Sequence, residues 1–233
     1  MKKAGILTKI VILVLVLAVP GFLYYLLVTL GKNHYKALPI FGLKTLATTT
    51  HKVHGKIVPD TIYHTLSDFH LVDQDGKPVT LASFENKIVV VDFFYTNCPG
   101  VCSQMNANLA MVADAYAKNK LLEFVSITVD PKNDSVAVMK KYADGFKAYA
   151  PKWRFLTGDT ATIYNLARKG FLVNALQTST KEFIYSDKLI LIDEEHRIRG
   201  YYSGAVADEV TRLNDEIRVL LSQEILDHDS PEY

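Results

Sequence analysis

The sequence predicts an α/β domain, a mixed central sheet with helices on both faces, behind an N-terminal transmembrane helix. Three observations predict it. Residues 10–30 carry no charge. The run Ile88-Val89-Val90-Val91-Asp92-Phe93-Phe94 is almost wholly apolar, as in a central strand buried on both faces. Strand-like and helix-like patterns then alternate to the end of the chain.

Taken in order, Ile10 to Leu30 is dominated by Val, Leu, Ile, Phe and Tyr. At 1.5 Å per residue it is about 31 Å long, enough to cross a bilayer core of roughly 30 Å. Pro20-Gly21 predicts a kink, which membrane helices tolerate. A cleaved signal peptide is the rival reading, but Leu30-Gly31-Lys32-Asn33 is a poor cleavage site and no lipobox cysteine is present. Residues 31–59, with Thr48-Thr49-Thr50, read as a polar stalk. The domain is expected to begin near Asp60, with an extended segment over Phe69–Val72, a turn at Asp73-Gln74-Asp75-Gly76 and a further piece at Val79-Thr80-Leu81. After the central strand, a helix is expected from about Cys102 to Lys118, with Met105, Leu109, Val112 and Tyr116 on one stripe. Phe124–Val129 is the next strand and Asp130-Pro131 ends it. Asp134-Ser135 opens a second helix with Val138, Tyr142 and Phe146 on one face. Gly158-Asp159-Thr160 opens a third helix that closes at Lys169-Gly170. Lys188–Ile192 and Ile198–Tyr202 flank Asp193-Glu194-Glu195-His196 as a hairpin, and Ala207–Leu226 is an amphipathic helix. Residues 1–9 form a stub and 227–233 a tail.

Bulk composition excludes little except a nucleic-acid partner. With 26 basic and 25 acidic residues the net charge is +1, and no basic patch stands out. The positive charges flanking the apolar run, Lys2, Lys3 and Lys9 before it and Lys32, Lys36 and Lys44 after, are nearly balanced, so orientation does not follow from charge. A short N-terminus inside and a long domain outside is the usual arrangement for such an anchor.

Chemistry concentrates at Cys98-Pro99-Gly100-Val101-Cys102, which holds both cysteines of the 233-residue chain. The pair stands at a strand-to-helix junction, where α/β sheets place their sites. Residues four apart on ideal helix geometry have Cα atoms roughly 6 Å apart, within reach of a disulfide. The same face can instead present two thiolates to one soft metal ion. A close pair in an otherwise cysteine-free chain fits an oxidising compartment. Lone cysteines are often inert core residues, but the spacing, the junction and the flanking Pro99-Gly100 argue against that here.

A strand, a cysteine pair and a helix in this order make the thioredoxin pattern, here as C-x-x-x-C. The chain resembles the SCO/SenC family of membrane-anchored thioredoxin-fold proteins. The matching stretches are Val91 to Cys102, Val125-Ser126-Ile127-Thr128-Val129-Asp130-Pro131, Trp153-Arg154-Phe155-Leu156-Thr157-Gly158-Asp159 and Lys188-Leu189-Ile190-Leu191-Ile192-Asp193. The resemblance implies a thioredoxin-like domain over 60–226. It also implies a copper site made of the two cysteines and a later histidine, and delivery of copper to cytochrome c oxidase during assembly of its copper centre. Cys98 and Cys102 match directly. The histidine does not: Tyr185 stands at its position, in Phe183-Ile184-Tyr185-Ser186-Asp187-Lys188.

Cu(I) is soft and two thiolates can hold it, whereas Cu(II) favours nitrogen donors. A neutral tyrosine, with an unperturbed pKa near 10, is a poor replacement. Copper binding is therefore expected to be weakened, more for Cu(II) than for Cu(I), or absent. Without its third ligand the pair becomes a plainer redox dithiol, with Cys98 as nucleophile near the helix N-terminus and Cys102 as resolver. Of the seven histidines, His196 falls in a hairpin turn away from the cysteines, and His34, His51 and His54 lie on the stalk. His228 lies at the tail, while His64 and His70 stay open as substitutes. Two functions follow: a metallochaperone, or a membrane-tethered thiol-disulfide oxidoreductase serving the copper-centre subunit of a cytochrome oxidase or another cysteine-containing client. A peroxiredoxin-type peroxidase fails, since Val91 stands where that motif needs proline. Location at the cytoplasmic membrane, with the soluble domain on the extracytoplasmic side, is the expectation.

Overall fold

The computed structural model describes residues 5–30, 37–53, 56–98, 100–177 and 183–229. The chain divides into two compact units, residues up to 36 and residues from 37 onward. In the first, helix α1, Ile6–Leu30, is 25 residues long and contains Pro20. Among the described residues no helix is long and apolar enough to be counted as crossing a membrane.

In the second unit, β1, Lys44–Val53, and β2, Lys56–Tyr63, form a two-stranded antiparallel ribbon. This corrects the stalk expected over 31–59: the threonine-rich stretch is strand, because Thr and Val suit a pleated backbone even where no face is buried. The short strands β3, Leu71–Val72, and β4, Pro78–Val79, pair around the Asp73–Gly76 turn. Strand β5, Ile88–Phe94, leads to helix α2, Val101–Ala115, then β6, Leu122–Thr128, helix α3, Val136–Gly145, and β7, Trp153–Leu156. Helix α4, Thr160–Asn165, continues as a π-helical turn, Leu166–Gly170. Strands β8, Ala175–Gln177, and β9, Phe183–Tyr185, make a small hairpin absent from the sequence reading. Strands β10, Lys188–Ile192, and β11, Ile198–Ser203, follow as the expected hairpin, and helix α5, Ala207–Asp229, closes the chain.

The central sheet has the order β11–β10–β5–β6–β7. Strands β5, β6 and β7 run parallel, and β10 is antiparallel to both neighbours. Every residue of β5 and β6 is buried. Successive side chains point to opposite faces, and both faces are filled with aromatics. Phe94 stacks on Tyr142 of α3 at 5.3 Å and meets Phe155 at 5.1 Å, while Phe93 meets Phe171 edge-on at 5.5 Å. Met105, Leu109 and Val112 are buried as the stripe predicts, and Trp153 is core.

Both sheet edges are closed, as an unpaired edge invites association. Along β11, the Phe41 amide donates to the Ile198 carbonyl, 2.8 Å, and Arg199 donates to the carbonyls of Leu38 and Pro39. Along β7, the buried Gln74 amide stands in for a strand. Its Nε2 donates to the Trp153 carbonyl, 3.1 Å, and its Oε1 accepts from the Phe155 amide, 2.8 Å.

Candidate functional site

Strand β5 delivers the chain to a turn, Tyr95-Thr96-Asn97-Cys98, in which the Cys98 amide donates to the Tyr95 carbonyl at 3.1 Å. Helix α2 starts only at Val101. Cys98 therefore precedes the helix rather than sharing its first turn with Cys102, which corrects the shared helical face expected from the spacing. Gly100 makes the connection at φ +73°, a left-handed conformation that suits glycine. The two cysteines form a disulfide with Cα atoms 5.9 Å apart. Cys102 is buried, 1% exposed, whereas Cys98 is half-buried. Pro99 lies outside the described residues.

A buried carboxylate holds the turn in place. Asp134, fully buried, accepts from the Thr96 amide at 3.1 Å and from the hydroxyls of Thr96 and Thr128. Its carbonyl accepts from the Thr157 hydroxyl at 3.1 Å. The Asp134 side chain thus ties the loop before Cys98 to the carboxyl end of β6, and its backbone carbonyl adds a link to the residue after β7. Burial pushes the Asp134 carboxyl up, against the hydrogen bonds from Thr128 and Thr96 that favour its ionised form. Asp134 does not cap α3; Ser135 does, accepting from the Val138 amide. Asp130, expected as a strand-ending turn residue, is buried and accepts from Asn133 Nδ2 at 2.8 Å.

A second polar group lies within the sheet. Asp92 on β5 is fully buried; its Oδ1 accepts from the Ser126 hydroxyl at 2.5 Å, and Ser126 Oγ accepts from Trp153 Nε1 at 2.9 Å. Asp92 Oδ2 has no hydrogen-bond partner among the described residues. Burial pushes the Asp92 carboxyl up to about 7, with Ser126 pulling the other way. Asn106, one helical turn beyond Cys102, donates to the Tyr142 hydroxyl at 3.0 Å, and its own buried Oδ1 has no partner among the described residues. A carboxyl raised by burial thus sits on the strand leading to Cys98. Asp92 and Asp134 were not singled out from sequence as site residues. The available signal was a lone carboxylate within the apolar run Ile88–Phe94.

The remaining expected residues divide. Register Val91↔Ile190 places Lys188, the first residue of β10, at the carboxyl end of β5. The backbone just before it is held there: Ser203 Oγ donates to Asp187 Oδ2 at 2.6 Å, and the Gly204 amide to the Asp187 carbonyl at 2.9 Å. Tyr185 pairs with Ala175 through its backbone, and its side chain lies outside the described residues. His196 sits in the β10–β11 turn at φ +61°, at the opposite end of the sheet from the cysteines. His64 donates Nε2 to the Gly170 carbonyl at 2.7 Å, His70 is exposed, and His51 pairs with Asp60 on the ribbon. His34, His54 and the His228 side chain lie outside the described residues. Among the described residues, the grouping of three or more His, Cys, Asp or Glu side chains able to meet on one ion is Asp193, Glu195 and Glu224, remote from the disulfide. The donor set at Cys98 and Cys102 therefore suits a soft ion on two thiolates once the disulfide is reduced.

Comparison with known proteins falls on the same residues. The SCO1/SenC family model matches residues 59–221. A SCO2-like protein of Rickettsia prowazekii is 26% identical over 220 residues, covering 91% of this chain and 98% of its own. The structure of BsSco, a member of the Sco family of cytochrome c oxidase assembly proteins with a disulfide switch, is 25% identical. It covers 66% of this chain and 92% of its own, with a TM-score of 0.60. ScoI of Bradyrhizobium japonicum, solved with copper bound, is 27% identical, covers 65% of this chain and 98% of its own, and has a TM-score of 0.55.

Proposed function

This chain belongs to the SCO1/SenC family, and on that premise we propose that it is a membrane-tethered assembly factor for the copper centre of a cytochrome oxidase, working through Cys98 and Cys102. The disulfide carries this reading: a half-buried Cys98 beside a buried Cys102 at the carboxyl end of β5. In this reading the uncharged run over residues 10–30 serves as the membrane anchor, a role that rests on its sequence rather than on helix α1 as described, with the domain outside the cytoplasm.

In the thiol step, an external dithiol first reduces the Cys98–Cys102 disulfide and is itself oxidised to a disulfide, and the freed Cys98 thiolate then attacks one sulfur of a client disulfide. That S–S bond breaks, a Cys98–client mixed disulfide forms, and the client's other sulfur leaves as a thiolate. Cys102, its proton lost to solvent, then attacks the Cys98 sulfur and releases the second client thiolate. Two electrons pass to the client and the Cys98–Cys102 disulfide is closed. In the copper step, the reduced pair carries Cu(I) as cargo between two thiolates. The two steps serve one end, because a copper centre built on cysteines needs reduced thiols before it takes metal.

Anaerobic titration of the reduced full chain with Cu(I) against a competing chelator separates them. One-to-one binding that disappears in Cys98→Ala supports carriage on two thiolates. No competitive binding, with client disulfide still reduced, leaves the exchange reaction as the function. A Cys98→Ala chain equal to wild type in both assays refutes the proposal. Tyr185→His is expected to raise Cu(II) affinity, and unchanged binding would show that position 185 does not reach the cysteines.

A further inference from the structure

The β1–β2 ribbon exposes side chains of both strands to solvent, and an isolated two-stranded ribbon is marginal in water without a surface to cover it. Its register sorts the residues into two faces. The pairs Lys44↔Tyr63, Leu46↔Thr61, Thr50↔Pro59 and Lys52↔Ile57 share one face, because β2 alternates regularly across the bulge in β1. The position of Lys44 Nζ over the Tyr63 ring, 5.4 Å, agrees. The other face carries Thr45, Ile62, Val58 and Lys56, together with the His51–Asp60 pair at 2.5 Å.

The faces differ in charge. The first presents Leu46, 73% exposed, and Ile57, 69% exposed, between Lys44 and Lys52, with no carboxylate. The ribbon's acidic residue, Asp60, is turned to the other side. Apolar side chains between lysines match an anionic lipid surface: the apolar groups enter the headgroup boundary and the ammonium groups meet phosphate. Chain length favours the membrane over a diffusing protein partner. Residues 38–41 are bound along β11, leaving residues 31–37 between the end of α1 and that edge. Seven residues reach at most about 25 Å.

We propose that the Lys44–Leu46–Lys52–Ile57 face of the ribbon rests on the anionic surface of the bilayer that holds the anchor. This rests on the reading of α1 as a membrane anchor, so the test reads the two separately. The protein's one tryptophan, Trp153, is buried at 2% exposure, which leaves the surface spectroscopically silent. Tryptophan is placed on the cationic face (Ile57→Trp), on the opposite face (Ile62→Trp) and in the helix (Leu17→Trp). Each full chain is reconstituted into vesicles with bromine-labelled acyl chains, either phosphatidylcholine alone or phosphatidylcholine with phosphatidylglycerol.

Ile57→Trp is expected to lose about half its emission in the phosphatidylglycerol vesicles, with little loss in phosphatidylcholine alone. Ile62→Trp should be unaffected in both, and adding Lys44→Glu with Lys52→Glu should abolish the Ile57→Trp quenching. Quenching of Leu17→Trp without quenching of Ile57→Trp keeps the anchor and overturns the ribbon proposal. Equal quenching on both faces also overturns it, as does an Ile57→Trp signal that follows protein concentration instead of lipid, which assigns the face to a second copy. An unquenched Leu17→Trp removes the anchor and the proposal together.

Discussion

Opposite ends of the same sheet each depend on one fully buried aspartate, and the two are satisfied in different ways. At the cysteine end, Asp134 is surrounded by neutral donors, the Thr96 amide and the hydroxyls of Thr96 and Thr128. At the far end, Asp193 receives guanidinium groups, Arg197 Nε at 2.8 Å and Arg199 Nη1 at 3.0 Å, and accepts from the Arg197 amide at 2.8 Å. Charge-assisted bonds are the stronger kind, so the far end is the better-locked turn. The cysteine loop is held by geometry without a compensating cation on its carboxylate, which leaves that carboxyl sensitive to protonation.

The largest expected effect breaks the far end. Asp193→Ala strands a buried Arg199, 7% exposed, and should cost about 3–5 kcal/mol in chemical denaturation. A loss below about 1 kcal/mol would show that Glu224 and its neighbours take over the pair. Asp134→Ala follows: it leaves one amide and two hydroxyls without their acceptor, for about 3 kcal/mol. It should also alter the reduction potential of the Cys98–Cys102 pair, measured in redox buffers, while Asp193→Ala leaves that potential where it was. If both variants move the potential equally, the two ends are not independent.

A pH series sharpens the contrast. The folded pKa of Asp92, about 7, lies above the unfolded value near 3.9. Folding therefore binds a proton between those values. The stabilising contribution is complete below about pH 4 and is lost as pH rises through about 7, at up to about 1.4 kcal/mol per pH unit. Asp92→Asn should flatten that part of the stability profile and be more stable than wild type at pH 8. Glu224 adds a component of the same sign at the far end, pushed up to about 7 by burial and then by Glu194, Glu195 and Asp193. A residual slope in Asp92→Asn is thus expected to shrink with Glu224→Gln, leaving the part of the same sign that comes from Asp134. The smallest effect is Lys140→Ala, which removes the exposed 2.9 Å pair with Asp75 and should change stability by no more than about 0.5 kcal/mol.

Most elements of the domain were readable because burial on two faces leaves a one-dimensional trace. Ile88–Phe94 had to be a central strand, and the Met105, Leu109, Val112 spacing had to be a helix face. The ribbon was missed because neither face is buried, so β1 and β2 show no alternation against a core. The β8–β9 hairpin was missed for a related reason: three-residue strands are too short to show a period. At the site, the cysteine pair was legible from spacing and context. Asp134 was not, since Asp-Ser before a helix reads as a cap, and only the packed loop shows Ser135 capping while Asp134 turns inward.

The sequence alone determined the strand–loop–helix that brings Cys98 and Cys102 within bonding distance, because contacts between residues four apart are set by local geometry. That Tyr185 stands where the family's histidine is expected is an expectation from the resemblance alone, and the Tyr185→His titration tests it. Only the tertiary structure decided that Cys102 is buried while Cys98 is half-exposed, and that Thr96 hangs from a carboxylate 38 residues later. It alone left Asp92 with one oxygen unpaired among the described residues. Those outcomes depend on which strands lie side by side, and neighbours in a sheet are chosen by how whole elements pack rather than by any pattern within one of them.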